Sequence, residues 1–249
     1  MNTFHVIIPA RFASTRLPGK PLAKIGALTM IERVYRQAEK SGARSVCVAT
    51  DDQKIVDEVQ RFGGQVILTS AAHVSGTDRV YEAAQKLGLA DTDIVVNLQG
   101  DEPFVPAENI TQVADLVASS NHPMSTLCYP IEAAEDIENP NVVKVVKSAA
   151  GHALYFSRAT IPYTRNPEEG HPDYFRHIGI YGFNMAFLKQ YAELSESSLE
   201  QAEKLEQLRV LENGFSIAIA VAQLEPPAGI DTPEDLVAAN QLVEQLREE

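Results

Sequence analysis

Short apolar runs alternate with amphipathic segments through the first half of this chain, and each run stops at residues that cannot continue a strand. Val6-Ile7-Ile8 is apolar without polar alternation and ends at Pro9, which has no N–H to give to a ladder. Residues 28 to 41 then carry Met30, Ile31, Val34 and Ala38 at helical spacing, closed by Ser41-Gly42. Ser45 to Ala49 read as a strand, and Thr50-Asp51-Asp52 cap a helix bearing Ile55, Val56 and Val59, closed by Gly63-Gly64. The rhythm repeats at Val66 to Leu68, Thr77 to Leu87, Ile94 to Leu98 and Pro106 to Ser119. Strands with no polar face must be covered on both sides, and helical crossovers make neighbouring strands parallel. The sequence therefore predicts an α/β fold with a doubly wound, mostly parallel sheet.

From Ser125 the rhythm changes. Ser125 to Ile131, Val142 to Lys147, Ala153 to Ser157 and Arg176 to Phe183 read as strands with few helices between them, which predicts a mixed-strand extension. Pro162 to Tyr174 reads as a surface loop. A helix at Leu199 to Glu212, a strand at Ser216 to Ala222 and a final helix from Thr232 complete the expected order. A chain of 249 residues is expected to form one domain.

In such sheets ligands bind beyond the carboxyl ends of the strands, so residues 9–21, Thr50 to Gln53, Thr69 to Arg79 and Gln99 to Pro103 form one rim. Its first loop carries Arg11, Arg16 and Lys20 and ends at Pro18-Gly19-Lys20-Pro21, where two prolines and a glycine are expected to exclude helix. Cations and backbone N–H groups just past a strand suit a polyphosphate. The loop is no P-loop, because Pro21 follows Lys20 and Ser14 stands where the first glycine is required. Nor is it a dinucleotide fingerprint, since Gly19 stands alone.

The net charge of −13 argues against nucleic acid or an anionic membrane as partner, and concentrates interest on the few clustered cations. Cys47 and Cys128 lie in apolar contexts and are expected to be buried free thiols. With no signal-peptide pattern and no apolar run of about 18 residues, the protein is expected to be cytoplasmic.

Two acids and one arginine stand out on the rim side. Asp101 follows a buried strand in Asn97-Leu98-Gln99-Gly100-Asp101-Glu102-Pro103, and a hard oxygen ligand beside a phosphate loop suits Mg²⁺. Asp231, in Gly229-Ile230-Asp231-Thr232-Pro233, reads from its neighbours as part of an ordinary helix start. Ser75-Gly76-Thr77-Asp78-Arg79 opens a helix with a cation in its first turn, where the helix itself favours anions, so Arg79 is expected to serve a phosphate. His177, Gly179 and Tyr181 share one face of a strand by their spacing. Taken alone, His177 reads as a structural residue and Glu206 as a solvated helix residue.

The same segments carry a resemblance. Pro9-Ala10-Arg11, Ala13-Ser14 and Arg16-Leu17-Pro18-Gly19-Lys20-Pro21-Leu22 resemble the signature loop of the sugar cytidylyltransferases, within them the group acting on 3-deoxy-manno-octulosonate (Kdo). Gly76 to Arg79, Asn97 to Pro103, His177 to Gly182 and Gly229 to Leu236 extend the likeness over almost the whole chain. The resemblance implies a sheet of the nucleotide-diphospho-sugar transferase type, with a nucleotide-binding half at about 1–121 and a sugar-binding and dimerisation half at about 122–249. It implies transfer of CMP from CTP to Kdo for lipopolysaccharide synthesis, in a homodimer that uses Mg²⁺ held by Asp101 and Asp231. Lys20, Arg79, Asp101 and Asp231 would be catalytic, and Arg11, Ser14, Lys20, Arg79 and Gln99 would hold the nucleotide. Gln99, Arg158, His177, Tyr181, Glu206 and Gln207 would hold the sugar. Alternatives are a cytidylyltransferase for a related acidic sugar, such as amino-Kdo or a sialic acid, and a non-catalytic nucleotide sensor. A glycosyltransferase fits less well, because Asp91-Thr92-Asp93 precedes its strand and lies at the wrong rim.

Overall fold

The computed structural model describes residues 3–13, 16–73, 75–166, 168 and 172–248. Its elements begin with β1 (Phe4–Ala10), a 3-10 turn (Lys20–Leu22), β2 (Lys24–Ile25), β3 (Leu28–Thr29), α1 (Met30–Lys40), β4 (Ser45–Thr50) and α2 (Gln53–Arg61). Next come β5 (Gln65–Leu68), α3 (Gly76–Lys86), β6 (Ile94–Leu98), α4 (Ala107–Ser119), β7 (Met124–Pro130), α5 (Ala134–Glu138), β8 (Lys144–Lys147) and β9 (Ala153–Ser157). The chain continues through β10 (Phe175–Asn184), α6 (Met185–Glu193), α7 (Ser198–Glu203), α8 (Leu208–Glu212), β11 (Ile217–Val221) and α9 (Pro233–Glu248).

Every residue of β1 is buried, because it lies between parallel neighbours β4 and β6 and is covered on both faces. Its period of two divides the core. Val6 and Ile8 pack with Ile31 and Val34 of α1, Ile55 of α2 and Ile110 of α4, whereas Ile7 packs with Val80 and Ala83 of α3 and Leu188 of α6. Double burial is thus the reason the run carries no polar alternation.

The main sheet has the order β11-β7-β10-β6-β1-β4-β5, with β8 and β9 attached to β10 as an arm. The strands β1, β4, β5 and β6 pair in parallel, as do β7 and β11, while β10 runs antiparallel to both β6 and β7. The expected mostly parallel sheet is present, and the mixed extension is β10 with its β8–β9 arm. Ile180 and Tyr181 stand opposite Leu98 and Asn97, so the amino-terminal part of β10, with His177, runs on past the carboxyl end of β6. A β-bulge between Ile178 and Tyr181 bends that overhang against β7.

Local structure departs from expectation in three places. Lys20–Leu22 forms a 3-10 turn in spite of its prolines: Pro21 sits where a missing N–H costs nothing, and Gly19 precedes it at φ 68°. The helix expected over Leu199 to Glu212 is broken into α7 and α8 by Lys204 at φ 54°, so Glu206 and Gln207 lie in a turn rather than on a helix. Arg209 of α8 holds Glu200 of α7 through two buried hydrogen bonds of 2.8 and 2.7 Å, which fixes the angle at this break. Finally, α6 starts directly at the end of β10, with Asn184 accepting the Phe187 N–H as cap, a helix the sequence reading passes over.

Cys47 and Cys128 are buried free thiols, and burial pushes their pKa values up to about 12 and about 11. Among the described residues no helix is long and apolar enough to cross a membrane.

Candidate active site

Lys20 leaves the 3-10 turn with its Nζ 2.6 Å from Asp101 Oδ2 and 2.8 Å from Asp231 Oδ1. Asp101 is placed by the end of β6 and Asp231 by the approach to α9, so only the folded rim brings them together. Gly100 makes that meeting possible, because a Cβ there would lie 2.9 Å from the Pro9 carbonyl oxygen. Burial works against the Lys20 ammonium, yet the carboxylates of Asp101 and Asp231 outweigh it and raise its pKa. Arg16 adds a second cation, with Nη2 2.9 Å from Asp231 Oδ2.

The carboxylate of Asp231 is not spent on the helix. Thr232 Oγ1 accepts the Asp235 N–H at 3.2 Å, and Asp235 Oδ2 accepts the N–H groups of Asp231 and Thr232, each at 2.9 Å. This reciprocal cap satisfies the start of α9 and leaves Asp231 turned toward Lys20 and Arg16. Asp101 and Asp231 are hard oxygen donors that converge on one positive charge, which fits Mg²⁺, an ion that takes one or two carboxylates and shares its shell with phosphate and water. Among the described residues no cluster of three or more His, Cys, Asp or Glu forms a full protein cage, and Mg²⁺ does not need one.

The other rim cations are pre-set by the loops around them. Arg79 is fully buried, with Nη1 donating to Thr69 Oγ1 at 2.6 Å and Nη2 to Asp51 Oδ2 at 2.8 Å, so it ties the ends of β4 and β5 to the start of α3. Its Nε has no hydrogen-bond partner among the described residues. Arg11 Nη2 donates to the His73 carbonyl oxygen at 2.9 Å, while Glu82 accepts the Ser70 N–H at 2.9 Å and pairs with His73 Nε2. Ser14 lies outside the described residues.

Two cavities meet at the aspartates. One, of about 580 Å³, is lined by Gln99, Arg158, His177, Tyr181, Glu206 and Gln207, all six residues expected for the sugar, together with Asp101 and Asp231. The other, of about 670 Å³, shares Arg16, Asp101, His177, Gly179 and Asp231 with it and extends toward Glu102 and Arg176. Burial and then the neighbouring charge of Asp101 push the Glu102 carboxyl up to about 8. Arg11, Lys20 and Arg79 stand outside the lining of both cavities as given by the described residues.

The sugar-side wall is held by a neutral chain that is buried at Tyr181, Gln207 and Thr126 and partly buried at His177. Tyr181 Oη donates to Gln207 Oε1 at 3.0 Å, and Gln207 Nε2 donates to His177 Nδ1 at 3.5 Å. The His177 proton is therefore on Nε2, which donates to Thr126 Oγ1 at 2.9 Å, and that hydroxyl donates to the Ile180 carbonyl oxygen at 2.8 Å. Burial pushes the His177 pKa down to about 3, so the ring is neutral at pH 7. The rings of His177 and Tyr181 stand 5.5 Å apart on one face of β10, as their spacing predicts. Arg158 Nε donates to the Glu203 carbonyl oxygen at 2.8 Å and its Nη1 to that of Pro140 at 2.9 Å, which joins two segments around the cavity.

The residues that sequence reasoning missed are those that hold others. Asp51, Thr69 and Thr126 are partners of Arg79 and His177, and through-space pairs leave no local pattern. Asn97 could have been found, because it breaks the apolar strand Ile94–Leu98 and is fully buried.

Known proteins share both the sequence and the fold that build this geometry. Residues 5–219 match the family model described as "Cytidylyltransferase". A 3-deoxy-manno-octulosonate cytidylyltransferase of Photobacterium profundum is 52% identical over 246 residues, 97% of this chain and 99% of that protein. One of Idiomarina loihiensis is 53% identical over 250 residues, covering 96% and 98%. The solved structure of a CMP:2-keto-3-deoxy-manno-octonic acid synthetase complexed with CTP superimposes with a TM-score of 0.90 at 42% identity, over 98% of this chain and 100% of that one. A cytidylyltransferase from Leptospira borgpetersenii shares the fold at a TM-score of 0.61 and 17% identity, over 99% and 96%. The chain belongs to the cytidylyltransferase family, in the group of the 3-deoxy-manno-octulosonate cytidylyltransferases.

Proposed function

We propose that this protein transfers CMP from CTP to the anomeric hydroxyl of Kdo, giving CMP-Kdo and pyrophosphate and so activating the sugar for lipopolysaccharide synthesis. The observation that carries the reading is the convergence of Asp101 and Asp231 on Lys20 at the mouth of a cavity lined by Arg158, His177, Tyr181 and Glu206. A triphosphate and a polyhydroxylated acid would meet at that junction.

Lys20 and Arg11 bind the triphosphate from the rim, and Arg79 adds positive potential from behind it while fixing the loops that carry Asp51 and Thr69. Asp101 and Asp231 would hold Mg²⁺, which when bound neutralises charge on the phosphate oxygens. Arg158 answers the sugar carboxylate. Glu206 accepts from sugar hydroxyls, and neutral His177 with Gln207 and Tyr181 orients the sugar without adding charge. The sugar hydroxyl attacks the α-phosphorus in line and pyrophosphate leaves, with no covalent enzyme intermediate. Positioning and charge stabilisation supply the acceleration.

Residues 1–249 work as one unit in this proposal, since β10 of the sugar half is inserted beside β6 of the nucleotide half. The assembly is proposed to be a homodimer, with exposed Leu154 and Tyr163 of the second half as candidate contacts, and light scattering on the purified protein tests it. Buried reduced cysteines support a cytoplasmic setting.

Pyrophosphate release with CTP, Kdo and Mg²⁺ tests the activity, with amino-Kdo and a sialic acid as competing substrates. Release with Kdo at the highest kcat/KM is expected. Faster turnover of a competitor would reassign the sugar, and CTP binding with silence across all sugars would favour a nucleotide sensor.

A further inference from the structure

Behind the wall of the sugar cavity, four side chains form a continuous hydrogen-bonded line. Gln99 Nε2 donates to Asn97 Oδ1 at 3.4 Å, Asn97 Nδ2 donates to Thr77 Oγ1 at 3.1 Å, and Thr77 Oγ1 donates to Glu206 Oε2 at 3.0 Å. Only the two ends of the line, Gln99 and Glu206, are in the cavity lining. Asn97 is fully buried and Thr77 almost so.

Two features argue that the inner pair is there for the ends it holds. Asn97 stands in an apolar strand between Ile7 of β1 and Tyr181 of β10, where a buried amide costs free energy unless both its donor and its acceptor are used. Thr77 sits at the start of α3, yet that helix is already capped by the reciprocal pair Ser75 and Asp78, so the Thr77 hydroxyl is not needed for capping. The Thr77 N–H also bonds the Glu206 carboxylate. Glu206 needs such a hold, because it stands in the turn between α7 and α8 and not on a helix.

The line has a direction. With one N–H of its amide turned inward to Asn97, Gln99 keeps a second N–H and a carbonyl oxygen, Oε1, and the oxygen lies toward Gly76 at the cavity wall. At the other end is a carboxylate, so both ends present acceptors. An acceptor pair selects hydroxyl donors.

We propose that Thr77 and Asn97 are positioning residues that lock Gln99 of the nucleotide half and Glu206 of the sugar half into one acceptor frame, which selects the hydroxyl groups of a polyhydroxylated acid. The proposal rests on the Kdo reading of the cavity. Thr77→Val keeps the shape of the side chain and removes its hydroxyl, so it is the variant of choice.

The expected result is a rise of about tenfold in KM for Kdo, with KM for CTP within about twofold of wild type. Thr77→Ser, which retains the hydroxyl, should restore the KM for Kdo to within about twofold. In a Glu206→Gln background, Thr77→Val should add little, because the two residues act as one unit. The positioning role is overturned if KM for CTP rises as much as that for Kdo, if Ser and Val behave alike, or if the two changes are additive. Should Thr77→Val not fold, Asn97→Ala is held to two of these criteria, the split between KM for Kdo and KM for CTP and the lack of additivity with Glu206→Gln. Wild-type protein that releases no pyrophosphate from CTP and Kdo takes down the reading of the site and the frame with it, whereas active wild type with unaltered kinetics in Thr77→Val removes the frame alone.

Discussion

The rim around Lys20 and the wall around His177 keep polar groups inside the protein in opposite ways. On the rim, full charges are paired and stay near water: the side chains of Asp101 and Asp231 are 31% and 45% exposed while Lys20 bridges them. On the wall, Tyr181, Gln207, His177 and Thr126 are neutral, at most slightly exposed, and satisfied in sequence by hydrogen bonds. Partly exposed ion pairs contribute little to stability, so the rim can exchange its partners for a substrate at small cost. A buried neutral chain loses the full desolvation penalty of each group it leaves unpaired, so the wall is built to stay as it is. One side of the site adapts in charge, and the other holds a shape.

The sharpest way to break this contrast is to neutralise the rim. Asp101→Asn and Asp231→Asn should each cut turnover by on the order of 10²-fold or more, with CTP still bound through the basic loop. The double variant should lose far less than the product of the two. Since Thr232 and Asp235 cap α9, the thermal midpoint of Asp231→Asn should hardly move. Full activity in Asp231→Asn would end the two-aspartate account.

A smaller effect is expected at the lysine. Lys20→Ala should weaken CTP binding by about 1.5–3 kcal/mol, the worth of a charge-assisted hydrogen bond, and affect Kdo binding much less. Isothermal titration with each substrate decides this, and an unchanged affinity for CTP would remove Lys20 from the nucleotide site.

The wall should show itself in acid. The His177 ring titrates near 3 in the folded protein and near 6.5 when exposed, so the unfolded chain takes up the proton first. Stability from this group is complete above pH 6.5 and is lost as pH falls toward 3, with a slope of up to about one proton per molecule. Urea unfolding between about pH 7 and 5 should show a rise of stability with pH that is steeper in wild type than in His177→Asn by up to about one proton, because Glu102 and His5, which also titrate with shifted values there, contribute equally to both proteins. Equal slopes would mean that the ring is not held neutral. The smallest change is expected for Gln207→Ala, a several-fold rise in KM for Kdo with CTP affinity intact. Equal loss of CTP binding would put Gln207 on the wrong side of the contrast.

The sequence alone determined the parallel half of the fold and the rim that goes with it. The apolar run of β1 implies burial on both faces, and burial on both faces implies helices on either side, so the loops holding Lys20, Arg79 and Asp101 fall on one edge by topology. The direction of β10 was decided only by the tertiary structure, since a period of two is the same for a parallel and an antiparallel strand. That direction carries His177 past the end of β6 and into the site. The break at Lys204 was likewise hidden, because the helical spacing of its neighbours persists across it while the buried Arg209–Glu200 pair sets the angle. Asp231 looked like a cap until Thr232 and Asp235 took that task, and the partners that hold Arg79, Asp51 and Thr69, could not be read from the helix start that carries it. Periodicity records which side of an element is buried, whereas partners from distant segments are chosen by packing in three dimensions and leave no mark on the local pattern.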